Sequence, residues 1–421
     1  MKVALVHDYI KEYGGAERVL EALHEIWPNA PVYTSVYLPE FLGPHKARFR
    51  NWDIRTSFLQ HLPFKEKLIS PFRLVTPLVF KKFDFSKFDV VIVSATGAYS
   101  PNIIETRDKR QETRGPIHFC YCHTPPRYLY GFATARDWKK NIVFRVIGEI
   151  GNHFLRLVDF KSAQNVDFFI ANSKNVAGRI KKFYRKDSAV IYPPVDFARS
   201  QRHVSDDVRL YNFKSQSSNS VSLSKSRLQT DRQPTFSSSE SGLSPRFYFL
   251  AGGRIAKPKH IDLIVETFTK LKLPLKVFGR TFAGHDSQFM IHNSDIDFVG
   301  EVTDEEKLEL MKNAKSFVFA AEDEDFGITP IEAASVGTPV IAFASGGVLE
   351  SVIDGKTGIL YRLNDIYHLS KAVKDFEKTK FDTDEILKHA QKFSKERFKK
   401  EIREFVEDRI EREREEKRKA S

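Results

Sequence analysis

The chain has 421 residues, 41% hydrophobic and 29% charged, enough for two domains with cores of their own and unlike a disordered or fibrous polymer. A formal net charge of +12 predicts a polyanionic partner: nucleic acid, an anionic membrane or a phosphorylated substrate. No helix-turn-helix, zinc-finger or RNP pattern supports nucleic acid, and no apolar run reaches the roughly 20 residues that span a bilayer.

The N-terminal MKVALVHDYI is too short in apolar residues for a signal peptide, so a cytoplasmic protein is expected. Residues 3–7 are an apolar run of strand length, and 16–26 carry Val19, Leu20, Leu23 and Ile26 at helical spacing. Gly14 and Gly15 lie between them. The unit reads as the start of a mononucleotide-type fold lacking G-x-G-x-x-G, or as a plain loop-to-helix join. Residues 32–37 alternate like a strand.

From 64 to 88, Lys65, Lys67, Arg73, Lys81, Lys82 and Lys87 interleave with Phe64, Leu68, Phe72, Leu74, Leu78 and Phe80. Such a pattern suits an anionic bilayer surface, or a core helix with a solvated lysine face; Pro71 and Pro77 break any long helix. Residues 89–94 and 117–122 read as strands of a parallel sheet. The second delivers His123 and Arg127 at its carboxyl end, where a histidine is either hydrogen-bonded in a turn or turned to function. Cys120 and Cys122 are expected to be free thiols on opposite faces, and C-x-C-H without a second ligand pair assigns no metal. Strands at 168–172 and 189–192 with a helix at 174–183 complete a first domain, residues 1–196.

Residues 197–245 are serine-rich and aperiodic, and read as a flexible insert. The second domain, 246–395, opens with a strand at 247–251 followed by Gly252, Gly253, Arg254, Lys257 and Lys259 ahead of a helix at 262–270. Glycines and spaced cations before a helix face a phosphate, or make a lysine-rich surface turn. Further strands fall at 275–278 and 297–300, and Thr303 with Glu306 spells a capping box.

The most informative stretch is SFVFAAEDEDFGITPIEAASVGTPVIAF, residues 316–343. It predicts a strand, an acidic loop, a short helix with Thr329 as N-cap and Pro330 at its first position, and a second buried strand. Glu324 and Glu332 flank Phe326, Gly327 and Ile328. Carboxylates repel phosphate but accept hydrogen bonds from vicinal hydroxyls, while a glycine and a helix start suit a diphosphate. Together they point to a nucleotide sugar. Competing readings are a Thr329–Glu332 capping box, a solvated acidic turn, and a metal pair in Asp323 and Asp325. Residues 396–421 read as a charged helical tail.

EDFGITPIE followed by AASVGTPVI resembles the E-x7-E signature of retaining glycosyltransferases of family 4 (group 1), and the likeness covers nearly the whole chain except the serine-rich insert. The subgroup it is most similar to is the bacterial mannosyltransferases of polysaccharide biosynthesis. The resemblance implies an α/β fold of GT-B architecture, two Rossmann-like doubly wound domains facing a cleft. It implies that Glu324 faces the sugar hydroxyls and Glu332 the ribose, with Phe326, Gly327 and Ile328 against sugar or phosphate. Arg254 and Lys259 would hold the diphosphate, Gly14 and Gly15 would line donor and acceptor, and His123 with Arg127 would contact the donor sugar. Tyr192-Pro193-Pro194 matches the hinge between domains, and the last helix, through Phe398, Ile402 and Phe405, would pack on the first domain. The implied reaction is retaining, metal-independent hexose transfer from a nucleotide diphosphate sugar, GDP-mannose favoured, to a glycan or lipid-linked acceptor, without a cofactor. A metal-dependent transferase and a non-catalytic nucleotide-sugar binder are the alternatives.

Overall fold

Uninterrupted runs of Val, Ile and Phe make strands that must be covered on both faces, and the chain builds two such sheets. The computed structural model describes residues 1–104, 115–133, 142–197, 247–279 and 294–420; the serine-rich segment expected at 197–245 lies almost wholly outside them. The first sheet contains β1 (Val3–His7), β2 (Val32–Thr34), β3 (Ile54–Thr56), β4 (Val90–Ala95), β5 (Ile117–Cys122), β6 (Phe168–Ala171) and β7 (Ser188–Val190), ordered 3-2-1-4-5-6-7 and all parallel. The second contains β8 (Tyr248–Gly252), β9 (Leu275–Phe278), β10 (Ile296–Gly300), β11 (Ala314–Phe319), β12 (Val340–Phe343) and β13 (Gly358–Tyr361), ordered 10-9-8-11-12-13 and also parallel. Each reverses order at its first strand, and the crevice outside the carboxyl ends at such a reversal is where doubly wound sheets bind ligands.

The helices of the first half are α1 (Gly15–Ile26), α2 (Lys65–Leu68), α3 (Thr76–Phe80), α4 (Ile142–Gln164) and α5 (Lys174–Tyr184). Those of the second are α6 (Ile261–Leu271), α7 (Asp304–Lys312), α8 (Ile328–Ser335), α9 (Val348–Ser351), α10 (Ile366–Lys378), α11 (Thr383–Gln391) and α12 (Lys395–Ala420). The final helix crosses back. Phe398, Ile402, Val406 and Ile410 are buried against the first sheet, beside Leu20 and Leu23 of α1. Phe405 is only half-buried, edge-on to Phe119 and Phe168. A smaller cluster of Val195, Phe197, Phe326, Ile331, Ile386 and Phe393 joins the hinge to the second domain.

Three details depart from the expectations. α8 begins at Ile328 with Gly327, at φ +89°, as its N-cap, so Thr329 and Pro330 lie inside the first turn and no Thr329–Glu332 capping box forms. Cys120 and Cys122 share one face of β5 and one core cluster, because a spacing of two returns to the same side of a strand. The long α4 was not foreseen: it carries apolar residues on its exposed side as well as its buried one, so they do not mark a single core-facing stripe.

Candidate active site

Both switch points open onto the seam between the sheets. In the first domain the loops after β1, β4 and β5 converge there. Asp8, just past β1 and fully buried, accepts through Oδ2 from the backbone N–H groups of Thr96 (3.1 Å), Ala98 (3.2 Å) and Tyr99 (3.4 Å), and from the Thr96 hydroxyl. It ties the β1 and β4 loops together. Burial pushes its pKa up, against the pull of His7 and those donors.

His7, Ser94 and His123 end three neighbouring strands and are buried in a row. Ser94 Oγ lies 3.2 Å from His7 Nδ1 and 2.9 Å from His123 Nε2. Glu17 stands behind, with Oε1 3.6 Å from His7 Nε2, while its Oε2 accepts from Gly14 N–H at 2.9 Å. At 3.6 Å the carboxylate acts through its field: a His7 hydrogen on Nε2 faces it favourably, whereas a lone pair would be repelled. His7 Nδ1 then accepts from the Ser94 hydroxyl, and the Ser94 oxygen accepts from His123 Nε2–H. When Nε2 carries the only His7 ring hydrogen, this network leaves His123 Nδ1 as an acceptor, suited to a ligand hydroxyl. Burial, reinforced by His7, lowers the His123 pKa from 6.5 to about 3, so the ring is neutral near pH 7.

In the second domain the acidic loop after β11 is fixed by its backbone. Gly347 N–H donates to the Glu324 carbonyl at 2.7 Å, and Gly346, at φ +63°, lies so close that an added Cβ would sit 2.2 Å from that oxygen. Glu324 Oε2 is 2.7 Å from Lys259 Nζ. Burial pushes the Glu324 pKa up, but Lys259, Arg127 and Arg179 outweigh it and hold the carboxyl below its usual range.

Several contacts lock the two loop systems across the seam. Arg127, four residues past His123, donates to the Asp323 carbonyl at 2.7 Å and pairs with Asp325 at 2.9 Å. Arg179 pairs with the other Asp325 oxygen at 2.7 Å. Ser173 Oγ donates to the Asp325 carbonyl at 2.6 Å, and Glu350 caps the start of α5 through the N–H groups of Lys174 (2.8 Å) and Asn175 (2.9 Å). Gly15 faces Ile328 directly, where a Cβ would come within 2.7 Å of Ile328 Cδ1.

The expected residues therefore sit along one seam but not in a single group. Lys259 meets Glu324, whereas Arg254 reaches across to Glu12 at 3.0 Å. Glu332 lies in a crevice lined by Tyr13, Arg48, Pro194 and Asp304, bonded to Arg18 of α1 and at 2.8 Å to Lys307. Burial raises its pKa, and Arg18 with Lys307 more than reverses that. Phe326 turns its side chain into the hinge cluster, leaving its backbone at the seam. Asp325, one of the two carboxylates weighed as a metal pair, is engaged by two arginines. Among the described residues no group of three His, Cys, Asp or Glu side chains is placed to hold a metal ion, and no helix is long and apolar enough to cross a membrane.

Arg18, Asp8, His7, Ser94 and Arg179 were not singled out in the sequence. His7, Asp8 and Ser94, at or just past a strand's carboxyl end, carried a signal that position alone could have flagged.

Comparison with known proteins bears on the fold and the family. The family "Glycosyltransferase Family 4" matches residues 13–199, and "Glycosyl transferases group 1" matches residues 235–400. The α-1,3/1,6-mannosyltransferase ALG2 of Rhizomucor pusillus is 24% identical over 430 aligned residues, covering 94% of this chain and 88% of that protein. Mouse ALG2 is 27% identical over 153 residues, 31% of this chain and 37% of the relative. Anabaena Alr3699/HepE, solved in complex with UDP, superposes with a TM-score of 0.64 at 15% identity, over 97% of this chain and 100% of that one. Its GT-B architecture is the one seen here. With two parallel doubly wound sheets meeting at a shared seam, and one family match on each, the chain belongs to the group 1, family 4 glycosyltransferases.

Proposed function

We propose that the chain transfers a hexose, mannose in the first instance, from a nucleoside diphosphate sugar to a hydroxyl of a lipid-linked glycan, retaining the anomeric configuration and needing no metal. The relative aligned over most of the chain is a mannosyltransferase, and the similar Anabaena structure holds UDP. GDP-mannose is the favoured donor, as the sequence resemblance implies. The observation that carries the reading is the Arg127 clamp, which binds the loop after His123 to the acidic loop bearing Glu324 across the seam.

In this reading Glu324 and His123 Nδ1 accept hydrogen bonds from the sugar, and Glu332 accepts from the ribose, displacing Arg18 or sharing with it. The bond from C1 to the diphosphate oxygen breaks, and the acceptor oxygen bonds to C1 from the same face. Its proton passes to the departing phosphate. Lys259 and Arg254 neutralise the charge gathering on that phosphate, which is the task a metal would otherwise perform. No side chain is required as a nucleophile.

Labelled GDP-, UDP- and ADP-sugars offered to purified protein test this. GDP-mannose should be consumed, with and without EDTA, and Glu324→Gln and Lys259→Ala should each lose about 10²–10³-fold. Turnover of a different donor with GDP-mannose idle overturns the donor assignment; full activity in both variants overturns the site.

A further inference from the structure

The first domain leaves a large apolar surface uncovered. On α4, Val146, Ile150, Phe154 and Leu157 are 55%, 57%, 62% and 58% exposed, and Phe160 continues them. Spacings of four and three place these side chains on one stripe, with His153 and Lys161 exposed beside it, while Leu155, Asp159 and Ala163 face the core. Scattered exposed apolar residues are ordinary, but a continuous helical stripe marks an interaction surface.

A second uncovered patch adjoins it. α3 and α4 pack on the same turn, Pro101–Ile103. Beside α3, Leu74 and Leu78 are each 65% exposed, and Phe64 at α2 is 67% exposed. The junction is bridged: Arg73 stacks on Tyr128 at 4.4 Å, and Arg156 of α4 donates to the Leu129 carbonyl at 3.0 Å. Residues 58–82 carry Lys65, Lys67, Arg73, Lys81 and Lys82 against the single acid Glu66. Lys82 lies over the Phe58 ring at 5.3 Å and Lys67 over Phe64 at 5.8 Å, so charge and apolar surface are interleaved.

We propose that the exposed stripe of α4 and the basic, apolar face of residues 58–82 form one docking surface for an anionic phospholipid bilayer. Charge selects this occupant. Large apolar side chains enter the boundary between headgroups and acyl chains while neighbouring lysines meet anionic headgroups. A second copy of the chain would bring the same cations face to face, in a molecule already at +12. The surface is independent of the donor assignment, because vesicle binding is read without any substrate.

Co-sedimentation of the full chain with phosphatidylcholine vesicles, with and without phosphatidylglycerol, tests it. Binding should require phosphatidylglycerol, weaken with added salt, and fall about tenfold or more in Lys81→Gln/Lys82→Gln and in Phe154→Ser/Leu157→Ser. Leu363→Ser, on the second domain and 57% exposed, should bind like the parent. Circular dichroism and donor consumption in solution check that the variants are folded. Absence of sedimentation with either vesicle overturns the proposal, as does parent-like binding by Phe154→Ser/Leu157→Ser. A dimer that these substitutions dissociate, without any change in lipid binding, overturns it in favour of self-association.

Discussion

Ser94→Ala is the sharpest test of the buried row that holds His123. The hydroxyl is fully buried and bonds two imidazoles, at 3.2 and 2.9 Å. Its removal leaves His7 Nδ1 and His123 Nε2 against a methyl group with no partner from this row. Each buried polar atom so stranded costs about 1–3 kcal/mol, giving roughly 2–6 kcal/mol for the pair and the lower end if a water enters. The His123 hydrogen is then free to exchange between ring nitrogens, and the acceptor at Nδ1 is lost part of the time. Weakening one hydrogen bond to the donor sugar by about 1.4 kcal/mol lowers kcat/KM about tenfold. Urea unfolding reads the first effect, donor kinetics the second, and ¹⁵N NMR of the imidazoles reports the tautomer directly. Parent-like stability together with an unchanged His123 tautomer would refute the argument, because the hydroxyl would then not be the link.

The lowered His123 pKa makes stability depend on pH. The unfolded ring takes up a proton near pH 6.5 and the folded ring only near 3, so the unfolded chain binds more protons between those values and stability falls as pH drops. The slope from this group approaches about 1.4 kcal/mol per pH unit, and urea midpoints for His123→Gln should show a shallower decline between pH 6 and 4. Gly346→Ala combines a left-handed backbone with a Cβ 2.2 Å from the Glu324 carbonyl; the loop must move, and donor consumption should fall at least tenfold with little change in the circular dichroism spectrum. Ile402→Ala empties a fully buried site between α12 and the first sheet, and should lower unfolding stability in urea by about 2–4 kcal/mol while Phe405→Ala, half-buried, costs less.

Strand and helix identity were legible because they depend on local pattern: the β/α alternation from residue 3 onward, the Thr303–Glu306 capping box, and the helical spacing of Phe398 and Ile402 all appear in three dimensions. The E-x7-E stretch was equally readable, since its acids, glycine and strand-to-helix turn lie within one short run. The start of α8 was misplaced by about half a turn because Gly327, able to adopt φ +89°, captured the cap position from Thr329.

Local pattern was therefore enough to specify two doubly wound units and residue types suited to a nucleotide sugar. Which charges meet was set by the packing of the two units. Arg18 reaches Glu332 across 314 positions, Arg179 reaches Asp325 across 146, and Glu350 caps a helix in the other domain. Such pairings leave no periodic trace, because they arise from how two finished sheets set their carboxyl edges against each other. The exposed stripe of α4 was invisible for a related reason: an apolar residue looks the same in sequence whether it faces the core or the solvent, and packing alone tells the two apart.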